Sequence, residues 1–260
     1  MANLFKDAAK YYKYRPEYPI GLIKLIGSKL GLDGKGNLLD IGCGTGYLSI
    51  PLSKYFERVI AVDIDAGMLA EGKNKASALN IKNIDWINKP AEELSDDFKS
   101  VKVVSFGYSL HWLDSEKILA YAYRLLPKGG AVLIISGTTI WRYAPQLWQQ
   151  KALEVIKRYL GPDRLTLNGK YKPPKYSFEQ SLEATGFERL QAFEFHYPTQ
   201  ILSADDIIGI LHSTSYVAPA LFKDKLADFD NELRFELLKI SPENKFESQD
   251  KDSILIGWKI

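Results

Sequence analysis

The chain has 260 residues, 46% hydrophobic and 25% charged, with a formal net charge of +2. That balance supports a large buried core and supplies no global positive field for gripping nucleic acid or an anionic membrane. A single cysteine excludes an intramolecular disulfide, and three histidines well separated from it show no metal-ligand spacing.

The amino-terminal MANLFKDAAKYY has no apolar signal core, and no apolar stretch approaches the roughly 20 residues of a membrane span. The expectation is a cytoplasmic protein. Leu4 to Tyr14 reads as a short tyrosine-bearing helix ended by Arg15-Pro16-Glu17-Tyr18-Pro19, because proline disfavours helix in the residue before it. Ile20 to Leu30 has a helical apolar period, with Gly31 suiting its exit. Leu38-Leu39-Asp40-Ile41 is a short apolar run ending near a carboxylate. Gly42, Gly44 and Gly46 follow at alternate positions, then the helix-compatible Tyr47 to Ile50. Strands at Val59 to Asp63, Ile84 to Ile87, Val101 to Phe106 and Ala131 to Ser136 alternate with helices at Ala66 to Leu79 and Ser115 to Leu126. The second helix stops at Pro127-Lys128-Gly129-Gly130. Such alternation predicts right-handed βαβ units and a doubly wound, mainly parallel sheet of the α/β class.

After Gly137 the rhythm changes. Thr138 to Pro174 is aromatic and basic, with one helix-like piece from Pro145 to Leu160. Alternation resumes with a helix at Ser177 to Thr185, a strand near Leu190 to His196, a helix capped by Ser203, a longer helix from Phe222 to Ile240 and a closing strand from Ser253. The stretches 138–175 and 200–225 read as insertions.

The glycine turn carries the first chemical signal. A strand running into glycines and then a helix lets backbone approach a nucleotide-like ligand closely. A dinucleotide fingerprint would place the third glycine one residue later, where Tyr47 stands. Asp40, two residues before the first glycine, would oppose a pyrophosphate but suits a ligand bearing an ammonium and a sulfonium. That combination points to S-adenosylmethionine. Asp63 ends the next strand, where a carboxylate can accept hydrogen bonds from both ribose hydroxyls. Asp65, just past the strand, reads instead as a cap for the following helix.

LLDIGCGTGYLSI, VIAVDIDAGML, INKPAEEL, VVSFGYSLHWLD and LLPKGGAVLI resemble, in order and spacing, the successive motifs of class I S-adenosylmethionine-dependent methyltransferases over roughly residues 35–137. The resemblance implies a Rossmann-like seven-stranded sheet with six parallel strands and one antiparallel strand near the carboxy end. It divides the chain into an amino-terminal helical lid (1–34), the cofactor-binding half of the core (35–137), an insertion capping the substrate (138–176) and the remaining core (177–260). A further cap segment is expected near 200–225. It implies that Gly42 and Gly44 approach the methionine moiety and that Asp63 takes the ribose. Ile64 and Met68 would flank the adenine, while Ala91 and Glu92 read its edge, with Glu93 the reader if the loop register slips by one. Tyr108 joins the cofactor-binding set.

The loop Phe106 to Leu113 is similar to that of salicylate-, jasmonate- and juvenile-hormone-acid-type carboxyl methyltransferases, in which the tryptophan N–H bonds the acceptor carboxylate. Ala8, Tyr11, Arg15, Pro16, Tyr18 and Pro19 fill a pattern resembling the amino-terminal segment of trans-aconitate methyltransferases. That implies a lid on which Arg15 pairs with the methionine carboxylate and Tyr11 or Tyr14 lies near the sulfonium. A small acceptor, most simply a carboxylic acid, follows. A carboxylate is already ionised near neutral pH and needs no general base. Trp112 then orients it, and His111 donates to it or, for a hydroxyl, amine or carbon acceptor, serves as base. A non-catalytic cofactor-binding module and a nucleotide-dependent oxidoreductase are the rivals from other classes. Trp141, Arg142, Tyr143, Trp148, Arg164, Tyr171 and Tyr176 could wall an acceptor pocket or simply pack the insertion's own core.

Overall fold

A computed structural model describes residues 9–137, 139–166, 169–171 and 174–260. Leu4 to Ala8 of the expected first helix, and Thr138, Leu167, Asn168, Lys172 and Pro173 of the expected insertion, lie outside the described residues. The strands in chain order are β1 (Asn37–Ile41), β2 (Arg58–Asp63), β3 (Ile84–Asn88), β4 (Val101–Gly107), β5 (Ala131–Gly137), β6 (Leu165–Thr166), β7 (Gly169–Lys170), β8 (Arg189–His196), β9 (Gln200–Leu202), β10 (Phe246–Ser248) and β11 (Lys251–Trp258). The helices are α1 (Ile20–Lys29), α2 (Ser49–Leu52), α3 (Ala66–Ala78), α4 (Ser115–Leu125), α5 (Leu147–Leu160), α6 (Phe178–Thr185), α7 (Ala204–His212) and α8 (Leu226–Ile240).

Seven strands form one sheet in the order β3-β2-β1-β4-β5-β11-β8, with β11 running antiparallel to the others. Leu38, Leu39 and Ile41 of β1 and Val59 and Ala61 of β2 are fully or almost fully buried, as befits parallel strands covered on both faces. Each large aliphatic side chain buried this way contributes about 1.5–3 kcal/mol. β1 pairs with β2 on one side and β4 on the other, so chain order reverses at β1. In such sheets the crevice outside the carboxyl ends of the strands at the reversal is where ligands sit. Here the crevice is bounded by the turn after β1, the end of β2 and the loop after β4.

Local rules set the helix ends. Asp65 accepts from the backbone N–H groups of Gly67 and Met68 and caps α3, as its position past the strand implies. Asp114 caps α4 through Lys117 N, and Leu126, before Pro127, turns extended and stops it. Ser177 and Gln180 form a reciprocal capping box on α6, whose exit is Gly186 at φ 105°.

The chain divides into two compact units. The sheet unit comprises residues 17–137, 174–195 and 252–260, so α1 belongs to it. The second unit gathers residues up to 16 with 138–173 and 196–251. The latter has its own core, in which Val155 and Ile156 of α5 meet Ile207 and Leu211 of α7 and Phe229, Leu233 and Leu237 of α8. The short pairs β9–β10 and β6–β7 are antiparallel and belong to this unit. His212, fully buried, is held between Val217 O at 2.9 Å and Asp230 Oδ1 at 2.6 Å. Among the described residues no helix is long and apolar enough to cross a membrane.

Candidate functional site

The turn after β1 is tied down from three sides. Gly42 N and Cys43 N both donate to Val62 O of β2, at 2.8 and 3.0 Å. Gly44 N donates to Asp63 Oδ2 at 2.7 Å, while Asp65 N donates to Asp63 Oδ1 at 2.9 Å. From β4's side, Ser109 Oγ donates to Ile41 O at 2.5 Å. Gly42, with φ 71°, is required twice over: its backbone lies in the left-handed region, and a Cβ there would stand 2.5 Å from Ser109 Cβ. Gly46 answers to β3, since its Cβ would meet the Trp86 ring at 2.5 Å.

Asp40 lies 1% exposed beneath this turn, accepting from Ser49 Oγ at 2.5 Å and Ser105 Oγ at 2.7 Å. Burial pushes its carboxyl up to about 6, against the pull of the two hydroxyls and with a contribution from the Asp63 charge. Asp63 is also raised, chiefly by burial. Burial, and then both carboxylates, push the Cys43 thiol up, so it is a neutral packing group and no nucleophile. Among the described residues neither Asp40 nor Asp63 has a basic ion-pair partner. A buried Asp40 and a half-buried Asp63, neither with a basic partner, lie beside a glycine cradle and make a site that favours a cation. Thr45 Oγ1, buried in the same turn, has no hydrogen-bond partner in the protein. An orphan polar atom next to an electronegative cradle fits a polar, positively charged ligand, as the sulfonium amino-acid end of S-adenosylmethionine is.

The loop after β4 stands beside the cradle through Ser109. Tyr108 holds φ 57°, a strained region for a bulky residue and a feature that clusters at functional sites. Its N–H donates to Ile135 O at 2.9 Å and its hydroxyl donates to Asp252 of β11. The ring crosses Gly137, where a Cβ would be 2.1 Å from the Tyr108 oxygen. Leu110 to Trp112 form a 3-10 turn on which the His111 and Trp112 rings lie 4.7 Å apart, both half-buried. The Tyr18 hydroxyl reaches to 3.1 Å from where a Cβ on Gly107 would be, bringing it to the carboxyl end of β4.

The structure thus brings Asp40, Gly42, Gly44, Asp63, Tyr108 and the His111–Trp112 turn to the carboxyl ends of β1, β2 and β4. Ala91 and Glu92 lie on a 3-10 turn after β3, Ala91 half-buried and Glu92 exposed. Ile64 is 52% exposed, whereas Met68 is packed inside at 2%. Tyr11 and Arg15 belong to the second unit. There Arg15 donates through Nε to Ser213 Oγ and through Nη2 to Ser213 O, each at 2.9 Å, and the Tyr11 ring lies 5.1 Å from that of His212. Sequence reasoning missed Ser49, Ser105, Ser109 and Trp86, which build the cradle from below and behind. A serine inside the apolar run of β4 was the available signal.

Known proteins resemble this chain in sequence and in fold. Residues 38–130 match a family described as a methyltransferase domain. A Saccharomyces cerevisiae protein named as an S-adenosylmethionine-dependent methyltransferase is 32% identical over 48% of this chain and 43% of its own length. A Dictyostelium discoideum protein named as a methyltransferase is 27% identical over 97% of this chain and 89% of its own. Among solved structures, one described as a type II methyltransferase from Anaeromyxobacter dehalogenans superposes with a TM-score of 0.64 at 23% identity, covering 95% of this chain and 98% of that one. Residues 38–130 thus carry a methyltransferase domain, the relatives are named as methyltransferases, and the seven-stranded sheet has the Rossmann-like fold of the solved methyltransferase.

Proposed function

We propose that the enzyme methylates a carboxylate oxygen of a small organic acid, with Trp112 orienting the acceptor. One observation carries the reading: Ser109 locks the loop that bears His111 and Trp112 onto the turn after β1. Donor cradle and acceptor loop therefore hold a fixed mutual geometry, which methyl transfer requires more than it requires acid–base chemistry.

In this reading Gly42 and Gly44 let the backbone approach the methionine end. Asp40 and Asp63 supply the negative field, and Asp63 retains lone pairs for the ribose hydroxyls. Ile64 and Met68 flank the adenine, Ala91 and Glu92 read its edge, and Tyr108 walls the cofactor. Bound S-adenosylmethionine supplies a methyl group made electrophilic by its sulfonium. The chain's residues align the acceptor, exclude water and hold a donor at the carboxylate, and no proton need move. Trp112 Nε1–H is such a donor, with no titration near neutral pH. A Zymomonas mobilis protein named as a C-methyltransferase of ubiquinone and menaquinone biosynthesis is 30% identical over 47% of this chain and 51% of its own length. A carbon acceptor is therefore the competing reading, with His111 as base.

The test is Trp112→Phe with a carboxylic-acid acceptor. The acceptor KM should rise or turnover fall by roughly 10-fold, the worth of one charge-assisted hydrogen bond, with cofactor affinity nearly intact. Unchanged kinetics would remove Trp112 from the acceptor site.

A further inference from the structure

Consecutive residues at the carboxyl end of β4 grip its two neighbours in the sheet, β1 and β5. Ser109 reaches back to β1, donating to Ile41 O at 2.5 Å. Tyr108 turns the other way. Its N–H donates to Ile135 O of β5 at 2.9 Å, and its ring passes over Gly137, where no Cβ would fit. Gly137 and Asp252 are register partners on β5 and β11, and across that pair the Tyr108 hydroxyl donates to the Asp252 carboxylate. Asp252 is only 3% exposed. All of these residues belong to the sheet unit. The 3-10 turn that bears His111 and Trp112 begins two residues after Tyr108.

This second grip costs the chain free energy twice. Among the described residues Tyr108 is the only aromatic one with a left-handed backbone, a region bulky side chains rarely adopt. Asp252 is a carboxylate taken out of water. Joining β11 to β5 requires neither, because the two strands pair in continuous register from Asp252–Gly137 to Trp258–Ala131. What the two residues do achieve is directional. A phenol bonded to a carboxylate is held by a charge-assisted hydrogen bond. That bond anchors the ring, the ring holds the backbone at φ 57°, and the backbone aims the turn that follows. Methyl transfer is sensitive to such aim, since a displacement of about 1 Å costs on the order of 100-fold in rate.

We propose that Asp252 is a positioning residue for methyl transfer: through the Tyr108 hydroxyl it fixes the loop bearing His111 and Trp112 relative to the donor cradle. The inference rests on the reading that this loop presents Trp112 to the acceptor, and holds for an acid, hydroxyl or carbon acceptor alike. Asp252 therefore governs kcat, while the KM for S-adenosylmethionine stays as it is.

The test uses the full chain, isotope-labelled at its tryptophan indoles and saturated with S-adenosylhomocysteine. The Trp112 indole N–H resonance, assigned by its loss in Trp112→Phe, reports the loop, and that of Trp86 on β3 reports the sheet. Asp252→Leu should shift or broaden the Trp112 resonance, leave that of Trp86 in place and keep the affinity for S-adenosylhomocysteine. Asp252→Asn retains an acceptor oxygen and should restore most of the parent signal. Tyr108→Phe removes the donor and keeps the ring, so it should reproduce Asp252→Leu, and the double variant should add nothing to either single one. Turnover is read as labelled methyl passed from S-adenosylmethionine to a pool of benzoate, octanoate, phenol and acetylacetone. There kcat should fall by about 10-fold or more in Asp252→Leu and recover in Asp252→Asn. A Trp112 resonance unmoved in both Asp252→Leu and Tyr108→Phe, or one that moves with kcat unchanged, would overturn the proposal. Label that reaches phenol or acetylacetone and neither acid, with the same dependence on Asp252, would refute the acid reading and uphold the positioning role.

Discussion

Replacing Gly42 by alanine tests how the donor cradle is held together. Two independent penalties apply. An alanine at φ 71° sits in the left-handed region, at a cost of roughly 1–2 kcal/mol. Its Cβ would also lie 2.5 Å from Ser109 Cβ, a separation the turn can relieve only by shifting, at about 1–3 kcal/mol by analogy with overpacked cores. Gly42→Ala should therefore destabilise the chain by roughly 2–5 kcal/mol. Ser109→Gly alone should cost about 1–2 kcal/mol, from the lost bond to Ile41 O and added chain freedom. The steric part is shared by the pair, so the double variant should lose about 1–3 kcal/mol less than the sum of the singles. Urea unfolding of the four proteins, followed by a sheet-unit probe such as Trp86 fluorescence, measures that coupling. A Gly42→Ala loss below about 0.5 kcal/mol, or additive losses, would refute the account of this turn.

Three further outcomes follow from the same geometry. Asp63→Ala should weaken cofactor binding by roughly 10- to 100-fold, the worth of one or two hydrogen bonds to a carboxylate, and calorimetry with S-adenosylhomocysteine reads it directly. Asp40 gives a pH signature. Its folded carboxyl titrates at about 6 against an ordinary value of 3.8, so the folded state holds the extra proton in between. The stabilisation is then fully present below the unfolded value and is lost as pH rises through about 6; the two-unit shift amounts to roughly 3 kcal/mol. Asp40→Asn should flatten that slope in denaturation curves taken across pH 4 to about 7, and an unchanged slope would discard the assignment. The same ionisation should make S-adenosylmethionine bind more weakly relative to its uncharged-sulfur product as pH falls through about 6, because the field of Asp40 is then lost.

Legibility followed the physics of each part. Parallel strands buried on both faces read as unbroken apolar runs, which is why β1, β2, β4 and β5 were visible along with the glycine turn. Helix starts with a serine or aspartate cap were equally plain at Asp65 and Ser203. The second unit was not. Its core joins Val155, Ile207 and Phe229 from three distant stretches, and amphipathic helices do not announce which partner they pack against. Within the site, Asp40 and Gly42 were legible because residue type and position sufficed. Ser109 was not, since its role depends on a side chain meeting a glycine far along the chain. Tyr108 gave no sign of its left-handed backbone, which asparagine or aspartate would have advertised. Arg15 was read from a motif, and its contact with Ser213 could not be foreseen from a segment so remote in sequence.

The central claim, methyl transfer to a carboxylate, is tested most directly by the alkali lability of the product. The enzyme is incubated with methyl-labelled S-adenosylmethionine and a library of small acids, phenols and carbon acids, and the labelled product is treated with base. The account predicts a labelled methyl ester that releases volatile labelled methanol. Label retained after alkali, as an ether, amine or carbon-bound methyl group, would contradict it.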